Sequence, residues 1–398
     1  MPFIKLIFIF FLSLFSFCIL YLVFLSIVYF LYKPAENYVK HPPTLRFVIL
    51  VPAHNEALGI FDTLNNLKEI DYPENLYDVI VIVDNCTDNT AEVVKTAGIK
   101  YIERNDPERK GKGYALEYAI SKLVKENYDA FVIVDADSLI NKSFLMVMNN
   151  RLLSGQKVIQ SYDGLANPDS TALTYLFFIG NTIENKLFYE AKSRLGLSAN
   201  LRGNGMCFSR ETLLQFPWDA YSITEDTEYG LKLIQHGIKI NFASEAITYA
   251  KQPETLQQAK TQRIRWASGN FKISKSYIIK LILRGLIKRD MVLTDTALSI
   301  FFLSKPLFLI LNFLLIGCSF YFLSTDPVSG KLYVVWSFSL LLIQILYFAT
   351  GILMERIYLR RIKYILFSPF FAIWFFIVTI LGLVGYRSSH WQRTNRVG

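Results

Sequence analysis

The chain has 398 residues, of which 52% are hydrophobic, 15% aromatic and only 19% charged, with a mean hydropathy of +0.30. Soluble domains are about one quarter charged, so this composition excludes an ordinary cytosolic globule and a disordered chain. The net charge of +9 would suit a nucleic-acid partner, but residues 47–290 hold 29 basic and 29 acidic residues, and the excess flanks the apolar segments. That distribution indicates a membrane protein with membrane lipid, and no nucleic acid, as its partner.

The first predicted element is a membrane span within residues 1–33. The 27 residues between Lys5 and Lys33 carry no charge, and about 20 apolar residues suffice to cross a bilayer as a helix. The segment offers no small-residue cleavage site, so we expect an uncleaved signal anchor. More basic residues follow this segment than precede it, which predicts that the chain after it is cytoplasmic.

Residues 46–252 alternate short β-branched runs with helical stretches, a pattern typical of an α/β domain with a mostly parallel sheet. The predicted strands are 47–51, 79–83, 99–102, 131–134 and 158–160, and the predicted helices are 57–70, 89–97, 113–125 and 225–236. Three of these strands end in polar clusters. Because ligands bind beyond the carboxyl ends of strands in open α/β sheets, we expect the functional site there.

Residues 253–293 are predicted to form an amphipathic helix at the membrane interface. Basic residues recur from Lys272 to Lys288, and the apolar residues Ile278, Leu281, Ile282 and Leu286 take the opposite helical face. Such a helix next to a membrane span lies in the headgroup plane. The alternative is a helix packed on the domain with a solvated basic face.

The C-terminal region, 294–386, contains three uncharged runs at 306–325, 332–354 and 364–386, each long enough to span a bilayer. We expect the short turn at 326–331 outside and the basic connection at 355–363 inside. A proline near residue 306 or 369 could make one of these segments re-entrant. The side of the membrane on which the basic tail, 387–398, lies stays open.

The sequence Asp135-Ala136-Asp137 follows the apolar strand at 131–134. Side chains two positions apart leave an extended chain on the same side, and two carboxylates so close together favour a cation between them. Oxygen ligands of this kind suit Mg²⁺ or Mn²⁺ shared with phosphates. The alternative is an ordinary loop or helix cap.

Two further polar clusters follow predicted strands. Asp84 closes the strand at 79–83, where a carboxylate can accept hydrogen bonds from a base or a ribose. Residues 109–116 combine lysines, glycines and a helix start, which suits an anion. They lack the full phosphate-loop pattern, so a solvated loop is equally compatible with them.

Two motifs lie later in the chain. Thr224-Glu225-Asp226 opens a predicted helix, either as a simple capped first turn or with one carboxylate facing the crevice as a general base. Gln262-Arg263-Ile264-Arg265-Trp266 precedes the amphipathic helix. Its arginines can neutralise a phosphate leaving group and its indole can stack on a sugar ring, or the tryptophan can be an interfacial anchor.

In this order, the motifs resemble the membrane-integrated family 2 glycosyltransferases, particularly the cellulose and hyaluronan synthase branch, and are similar in layout to ceramide glucosyltransferases. The resemblance covers residues 46–270. It implies a GT-A-like nucleotide-diphosphosugar transferase fold and an inverting, Mg²⁺- or Mn²⁺-dependent transfer. The donor it implies is a nucleotide sugar, a UDP-hexose or UDP-N-acetylhexosamine, and the acceptor is a polysaccharide or a lipid.

The resemblance also implies a role for each matching position, with Asp226 as the catalytic base and Asp135 and Asp137 as the metal-binding pair. The implied donor-binding residues are Pro52, His54, Asn55, Glu56, Asp84, Lys112, Asp135 and Arg265. The implied acceptor-binding residues are Arg202, Gly203, Asn204, Gly205, Glu225, Gln262 and Trp266. His54 stands where the family frequently has a tyrosine.

The sequence leaves alternatives for the acceptor molecule and for the class of protein to which the chain belongs. A growing polysaccharide and a lipid such as an isoprenoid phosphate or diacylglycerol would share this chemistry. The chain has fewer spans than the polymer synthases, so passage of a polymer through its own membrane part is open. A non-catalytic membrane scaffold is disfavoured by the presence of Asp226 and Arg265, and an oxidoreductase by the lack of GxGxxG after the first strand.

Overall fold

The computed structural model describes residues 2–32, 40–301, 305–354 and 361–385. An N-terminal helix precedes one α/β domain, and further helices follow it. The strands are β1 (Phe47–Ala53), β2 (Tyr77–Asp84), β3 (Lys100–Arg104), β4 (Ala130–Ile133), β5 (Ser138–Ile140), β6 (Val158–Leu165), β7 (Met206–Ser209) and β8 (Ile240–Ala250).

The helices of the α/β domain alternate with these strands. They are α2 (Ile60–Lys68), α3 (Thr90–Thr96), α4 (Lys112–Leu123), α5 (Phe144–Leu153), α6 (Ala172–Thr182), α7 (Ala191–Arg194), α8 (Arg210–Gln215) and α9 (Glu225–Gln235). A short 3₁₀ turn occupies Glu74–Leu76, and a π-helical segment, Ile183–Glu190, joins α6 to α7. The helices outside the domain are α1 (Pro2–Leu31), α10 (Leu256–Lys288), α11 (Met291–Phe301), α12 (Lys305–Thr325), α13 (Pro327–Met354), α14 (Ile362–Ile365) and α15 (Ser368–Leu383).

The strands form one sheet in the order β3-β2-β1-β4-β7-β6-β8-β5. The first four are parallel, as the sequence predicts. The other half is mixed, because β7 is antiparallel to both of its neighbours and β5 is antiparallel to β8, whereas β6 and β8 are parallel. The carboxyl ends of β1, β2 and β4 therefore lie at one edge of the sheet, which is where the predicted site residues begin.

Both faces of the sheet are covered by helices. Along β1, Phe47, Ile49 and Val51 are buried in one hydrophobic cluster, while Val48 and Leu50 are buried in the other. Because alternate side chains of a strand point to opposite faces, β1 contributes to both clusters. A central strand buried on both faces holds the crevice at its carboxyl end rigidly in place.

Four helices are long and apolar enough to cross a membrane: Phe3–Leu31, Phe308–Thr325, Pro327–Met354 and Lys363–Leu383. At one end of this group Lys5 forms an ion pair with Asp326 at 2.7 Å, and the Phe8 ring packs 5.0 Å from that of Phe322. The connection between α12 and α13 thus lies beside the start of α1, but it is shorter than the predicted turn at 326–331, because α13 already begins at Pro327. The predicted tail at 387–398, and positions 355–360 of the predicted basic connection, are outside the described residues.

Helix α10 packs mainly against α11 and α15, and it also contacts α9 of the domain, where Arg284 donates to Gln235 at 3.0 Å. Ile264, Ile273 and Leu281 are buried, whereas Phe271 and Leu286 are exposed. Leu281 therefore contacts protein, and the exposed apolar side chains Ile279, Leu283 and Leu286 lie on a face rotated from the one the sequence predicts. Pro369 stands in the first turn of α15, a position that proline favours, so it begins this helix and does not break it.

Candidate active site

The loop after β1 is pinned to the loop after β2. Asn55 has a positive φ of 58°, and its Oδ1 accepts a hydrogen bond from the Thr87 backbone N–H at 2.7 Å. Nδ1 of His54 lies 2.8 Å from the backbone oxygen of Asp84. Asparagine tolerates the left-handed conformation better than most residues. These contacts fix two of the predicted donor-binding side chains at the rim of the crevice.

The other two predicted donor-binding residues of this segment flank the same turn. Pro52 lies within β1 and is in register with Ile82 of β2. The Glu56 backbone N–H donates to Oγ1 of Thr90 at 2.9 Å. The segment from Pro52 to Glu56 is therefore continuous with the sheet edge.

Asp84, at the end of β2, has a partner that the sequence does not predict. Oδ1 of Asp84 accepts from Nη1 of Arg104 at 2.6 Å and from Nδ2 of Asn85 at 3.0 Å. Nη2 of Arg104 donates to the backbone oxygen of Arg109 at 2.6 Å. A buried carboxylate requires a cation or several hydrogen bonds, and Arg104 supplies the cation.

Lys112 and Asp135 face each other across the crevice. Nζ of Lys112 lies 2.5 Å from Oδ1 of Asp135 and 2.5 Å from the backbone oxygen of Gly203. The carboxylates of Asp135, Glu225 and Asp226 raise the pKa of Lys112 against the lowering effect of burial, which is the largest single influence. The ammonium group therefore stays charged beside three acidic groups.

The residues at the end of β4 fit a divalent cation. Asp135 already binds a cationic group, and Asp137 follows two positions later, with Oδ1 accepting from the Ser138 hydroxyl at 3.2 Å. Among the described residues no group of three or more His, Cys, Asp or Glu side chains could hold a metal. The protein would thus supply two carboxylates, and phosphates and water the remaining ligands, which is common for Mg²⁺ sites.

The segment Arg202–Gly205 lies directly under this crevice. A Cβ atom at Gly203, which has a φ of 80°, would lie 3.2 Å from Oδ2 of Asp226 and 3.7 Å from Nζ of Lys112. Gly205, with a φ of 64°, is close to the hydroxyl of Ser161. Both positions need glycine for conformation and for space. Oδ1 of Asn204 accepts from the Asp135 backbone N–H at 3.0 Å and so links this segment to the predicted metal-binding pair.

Glu225 and Asp226 begin α9, with the side chain of Glu225 buried and that of Asp226 half-buried. The Thr224 side chain makes no capping hydrogen bond, so the simple capping interpretation of this motif is not supported. Burial raises the pKa of Asp226, an effect opposed by the Thr227 backbone N–H and by Lys112. Burial and the neighbouring Asp226 raise the pKa of Glu225 to about 8. A carboxylate with a raised pKa is suited to accept a proton near neutral pH.

The N-terminal half of α10 closes the crevice. Burial lowers the pKa of Arg265, and Glu225 and Asp135 oppose this effect, so the guanidinium lies within electrostatic reach of both carboxylates. Nε of Arg265, Oε1 of Gln262 and Oγ1 of Thr224 are buried atoms without a hydrogen-bond partner among the described residues. Buried polar atoms are nearly always satisfied, so a polar group of a ligand would be a suitable partner for these atoms.

Two charged side chains near this crevice escape the sequence analysis: Arg104 and Asp163. The first pairs with Asp84, and Asp163 pairs with Arg202 at 2.9 Å. Arg263 places its guanidinium carbon 4.6 Å from the centroid of the Trp266 ring. The sequence gives only a weak indication of such residues. Asp163, for example, is the one charged residue in the run 158–165.

A family model described as "Glycosyltransferase like family 2" matches residues 42–269. The chain is 28% identical over 247 residues to the probable glycosyltransferase YdaM of Bacillus subtilis (strain 168), which covers 60% of this chain and 57% of that protein. It is 26% identical over 287 residues to the poly-β-1,6-N-acetyl-D-glucosamine synthase of Staphylococcus aureus (strain COL), covering 65% of this chain and 66% of that one. The chain thus matches less than two thirds of the length of either relative.

A solved structure, the mannosyltransferase PcManGT from Pyrobaculum calidifontis in complex with GDP-Man and Mn²⁺, superposes with a TM-score of 0.57 at 19% identity. The match covers 87% of this chain and 97% of that one. At this identity the likeness shows the fold alone. The predicted GT-A-like nucleotide-sugar transferase fold, with its helical apolar segments, is confirmed.

Proposed function

The chain belongs to glycosyltransferase family 2, and we propose that it transfers a sugar from a nucleotide-sugar donor to a polysaccharide acceptor at the cytoplasmic face of the cell membrane. The observation that carries the proposal is the convergence of Asp226, Asp135, Lys112 and Arg265 on a crevice with three unpartnered buried polar atoms. The polysaccharide acceptor is supported by the relative that synthesises poly-β-1,6-N-acetyl-D-glucosamine.

The proposed reaction is a single in-line displacement at the anomeric carbon, with inversion. Asp226 accepts the proton of the acceptor hydroxyl, and general-base assistance of this kind is worth about 10²–10⁴ in rate. Lys112 and Arg265 stabilise the negative charge that develops on the departing nucleoside diphosphate. Asp135 and Asp137 would hold a divalent cation, which when bound offsets the charge of the diphosphate.

The donor side of the crevice is assigned to the loops after β1 and β2. Asn55 and His54 hold these loops together, and Arg104 fixes the carboxylate of Asp84. A preorganised carboxylate can accept hydrogen bonds from the base or the ribose without further ordering. The proposed donor is a UDP-hexose or a UDP-N-acetylhexosamine, as the resemblance of these motifs implies.

The four apolar helices support a multi-pass membrane arrangement with the α/β domain in the cytoplasm, where nucleotide sugars are made. In this arrangement Lys5 and Asp326 mark the outer end of the helices. The crevice then faces the donor supply, while the acceptor stays at the membrane.

The test is to incubate membranes containing the chain with a panel of radiolabelled nucleotide sugars and to separate polymeric from lipid-soluble product. We expect one donor to label a water-soluble polymer, and the Asp226→Asn variant to label none. Label in the lipid phase alone would replace the polysaccharide with a lipid acceptor. Release of no nucleoside diphosphate from any donor would refute the transferase function.

A further inference from the structure

Two buried glycines pack around the part of α10 that carries Arg265. Gly269 lies well inside α10, and Gly382 lies in the last turn of α15. Glycine is a poorer helix former than alanine. Neither residue has a positive φ, so backbone conformation does not require glycine at either position. The reason for glycine is therefore sought in the space around the missing Cβ atoms.

Gly269 packs directly against the residue that precedes α9. A Cβ atom at this position would lie 2.7 Å from Cγ2 of Thr224 and 2.9 Å from its Oγ1. Carbon atoms in van der Waals contact are about 3.5–4.0 Å apart, so a methyl group here would push the two segments apart by about 1 Å. Thr224 is buried, and its β-branched side chain has little rotational freedom. The contact therefore fixes α10 relative to Asp226, two residues after Thr224.

This contact lies on the same face of α10 as Arg265. Gly269 follows Arg265 by four positions, and residues at this spacing are neighbours on one face of a helix. The guanidinium of Arg265 is within electrostatic reach of Glu225 and Asp135. The approach of α10 to the start of α9 at Gly269 therefore sets how far Arg265 stands from these carboxylates.

A second close contact joins the same turn of α10 to α15, one of the helices long enough to cross a membrane. A Cβ atom at Gly382 would lie 2.5 Å from the Cβ of Ala267 and 3.0 Å from the backbone oxygen of Ile264. Small residues at a helix crossing allow two backbones to approach this closely. Arg265 and Trp266 lie between Ile264 and Ala267 in the chain, so α15 holds the turn that carries them from a second direction.

We propose that Gly269 and Gly382 are positioning residues for the transfer, because their close contacts hold Arg265 at the distance from Asp226 that the departing nucleoside diphosphate requires. The inference rests on the proposed function. A displacement of about 1 Å near the reacting groups can lower a rate by about 10²-fold. The inference also gives α15 a role beyond anchoring, since this helix helps to place a side chain in the crevice.

The test uses the purified full chain in lipid nanodiscs with the donor that the panel identifies, and it measures release of nucleoside diphosphate per nucleotide-binding site. We expect Gly269→Ala to lower kcat by about 10- to 100-fold. The ratio kcat/KM should fall by the same factor, since stabilisation of the leaving group belongs to the transition state. Gly180→Ala, in α6, is the control, because a Cβ atom there meets no atom within 4 Å. A wild-type kcat in Gly269→Ala, or an equal loss in Gly180→Ala, would overturn the proposal.

A second substitution separates an effect of spacing from a general loss of stability. Thr224→Ser removes the Cγ2 methyl group that a Cβ atom at position 269 would meet, and it keeps the hydroxyl group. We expect the double variant Gly269→Ala/Thr224→Ser to regain kcat by about fivefold or more over Gly269→Ala, since residues in contact are energetically coupled. A double variant that is no faster than Gly269→Ala would overturn the proposal, because the space beside Thr224 would then not be the cause.

Gly382→Ala keeps the test decisive if Gly269→Ala fails to fold, because it changes a helix outside the α/β domain. We expect kcat to fall in the same direction while nucleotide binding is retained. Gly317→Ala, in α12, is its control, since a Cβ atom there also meets no atom within 4 Å. An unchanged kcat in Gly382→Ala would overturn the proposal and leave the transferase function standing. A wild-type chain that releases no nucleoside diphosphate from any donor would instead refute the transferase function, on which the proposal rests.

Discussion

Arg104 holds the carboxylate of Asp84 in a buried ion pair, with Nη1 2.6 Å from Oδ1 and side chains only 6% and 7% exposed. Arg104 ends β3, and Asp84 ends β2, its neighbour in the sheet. The same guanidinium reaches the backbone oxygen of Arg109. One side chain therefore fixes both the proposed donor-binding carboxylate and the loop that leads to Lys112.

We predict that Arg104→Met lowers the free energy of unfolding by about 3 kcal/mol, because removing one partner of a buried pair leaves an uncompensated charge. Affinity for the nucleotide should fall with it. Chemical denaturation and nucleotide titration measure the two effects. Lys100→Met is the matched control, since Lys100 pairs with Asp78 at the surface and should cost about 1 kcal/mol or less. Equal losses in both variants would contradict the assignment.

Asp226→Asn keeps the size of the side chain but removes the proton acceptor. We predict that kcat falls by about 10²-fold or more, whereas donor affinity changes little, because the lost interaction belongs to the transition state. Turnover and nucleotide binding are measured on the same preparation. Glu228→Gln, in the same helical turn, should retain turnover. Normal turnover in Asp226→Asn would leave the mechanism without a base.

The raised pKa of Glu225 predicts a pH-dependent stability. Burial and Asp226 raise this pKa from 4.5 to about 8, so between these values the folded protein binds a proton that the unfolded chain has released. Wild-type stability therefore loses this contribution as the pH rises through that window. Glu225→Gln cannot lose the proton, and its Tm relative to wild type should increase from pH 5 to pH 8. A constant difference in Tm would exclude this linkage.

Divalent metal should be required for transfer. We predict that excess chelator abolishes release of nucleoside diphosphate, that Mn²⁺ restores it, and that Asp137→Asn raises the Mn²⁺ concentration needed for half-maximal rate. Asp219→Asn is the control, since Asp219 pairs with Lys232 at 2.6 Å at the protein surface. Full activity in excess chelator would rule out the metal-binding role of Asp135 and Asp137.

Membrane orientation can be read by labelling single cysteines in intact cells. Val328, 85% exposed, lies near the turn between α12 and α13, whereas Glu211 is an exposed residue of the α/β domain. We predict that Val328→Cys reacts with an impermeant maleimide from outside and that Glu211→Cys reacts only after cell lysis. The reverse pattern would invert the proposed topology.

The sequence predicts the parallel half of the sheet well, because its strands are short β-branched runs that end in polar clusters. It misses β5, β7 and β8 for different reasons. β5 has three residues and β7 four, and both are defined only by pairing with distant strands. β8 mixes Ser244 and Glu245 among its apolar residues, and its register shifts where it pairs with β6, so local alternation does not mark it.

The residues of the candidate site are likewise only partly predictable from the sequence. Asp135 and Lys112 can be named from motifs, since strand ends and helix starts are local features. The partner of Asp84 lies 20 residues away, and that of Asp163 lies 39 away, so neither pair can be read from periodicity. Long-range ion pairs follow from strand order, which the sequence alone leaves undetermined beyond β4.

The Lys5–Asp326 ion pair joins positions 321 residues apart, and this separation has a consequence for biogenesis. In the proposed membrane arrangement, α1 enters the bilayer first and stays without its partner while the catalytic domain is translated, which takes on the order of tens of seconds. Only then do α12 and α13 arrive to cover Phe8 and to let Trp336 donate to Ser16. A chain truncated before α12 would keep the contacts of α1 with the π-helical segment and α7 but would leave Phe8 and Ser16 without their partners.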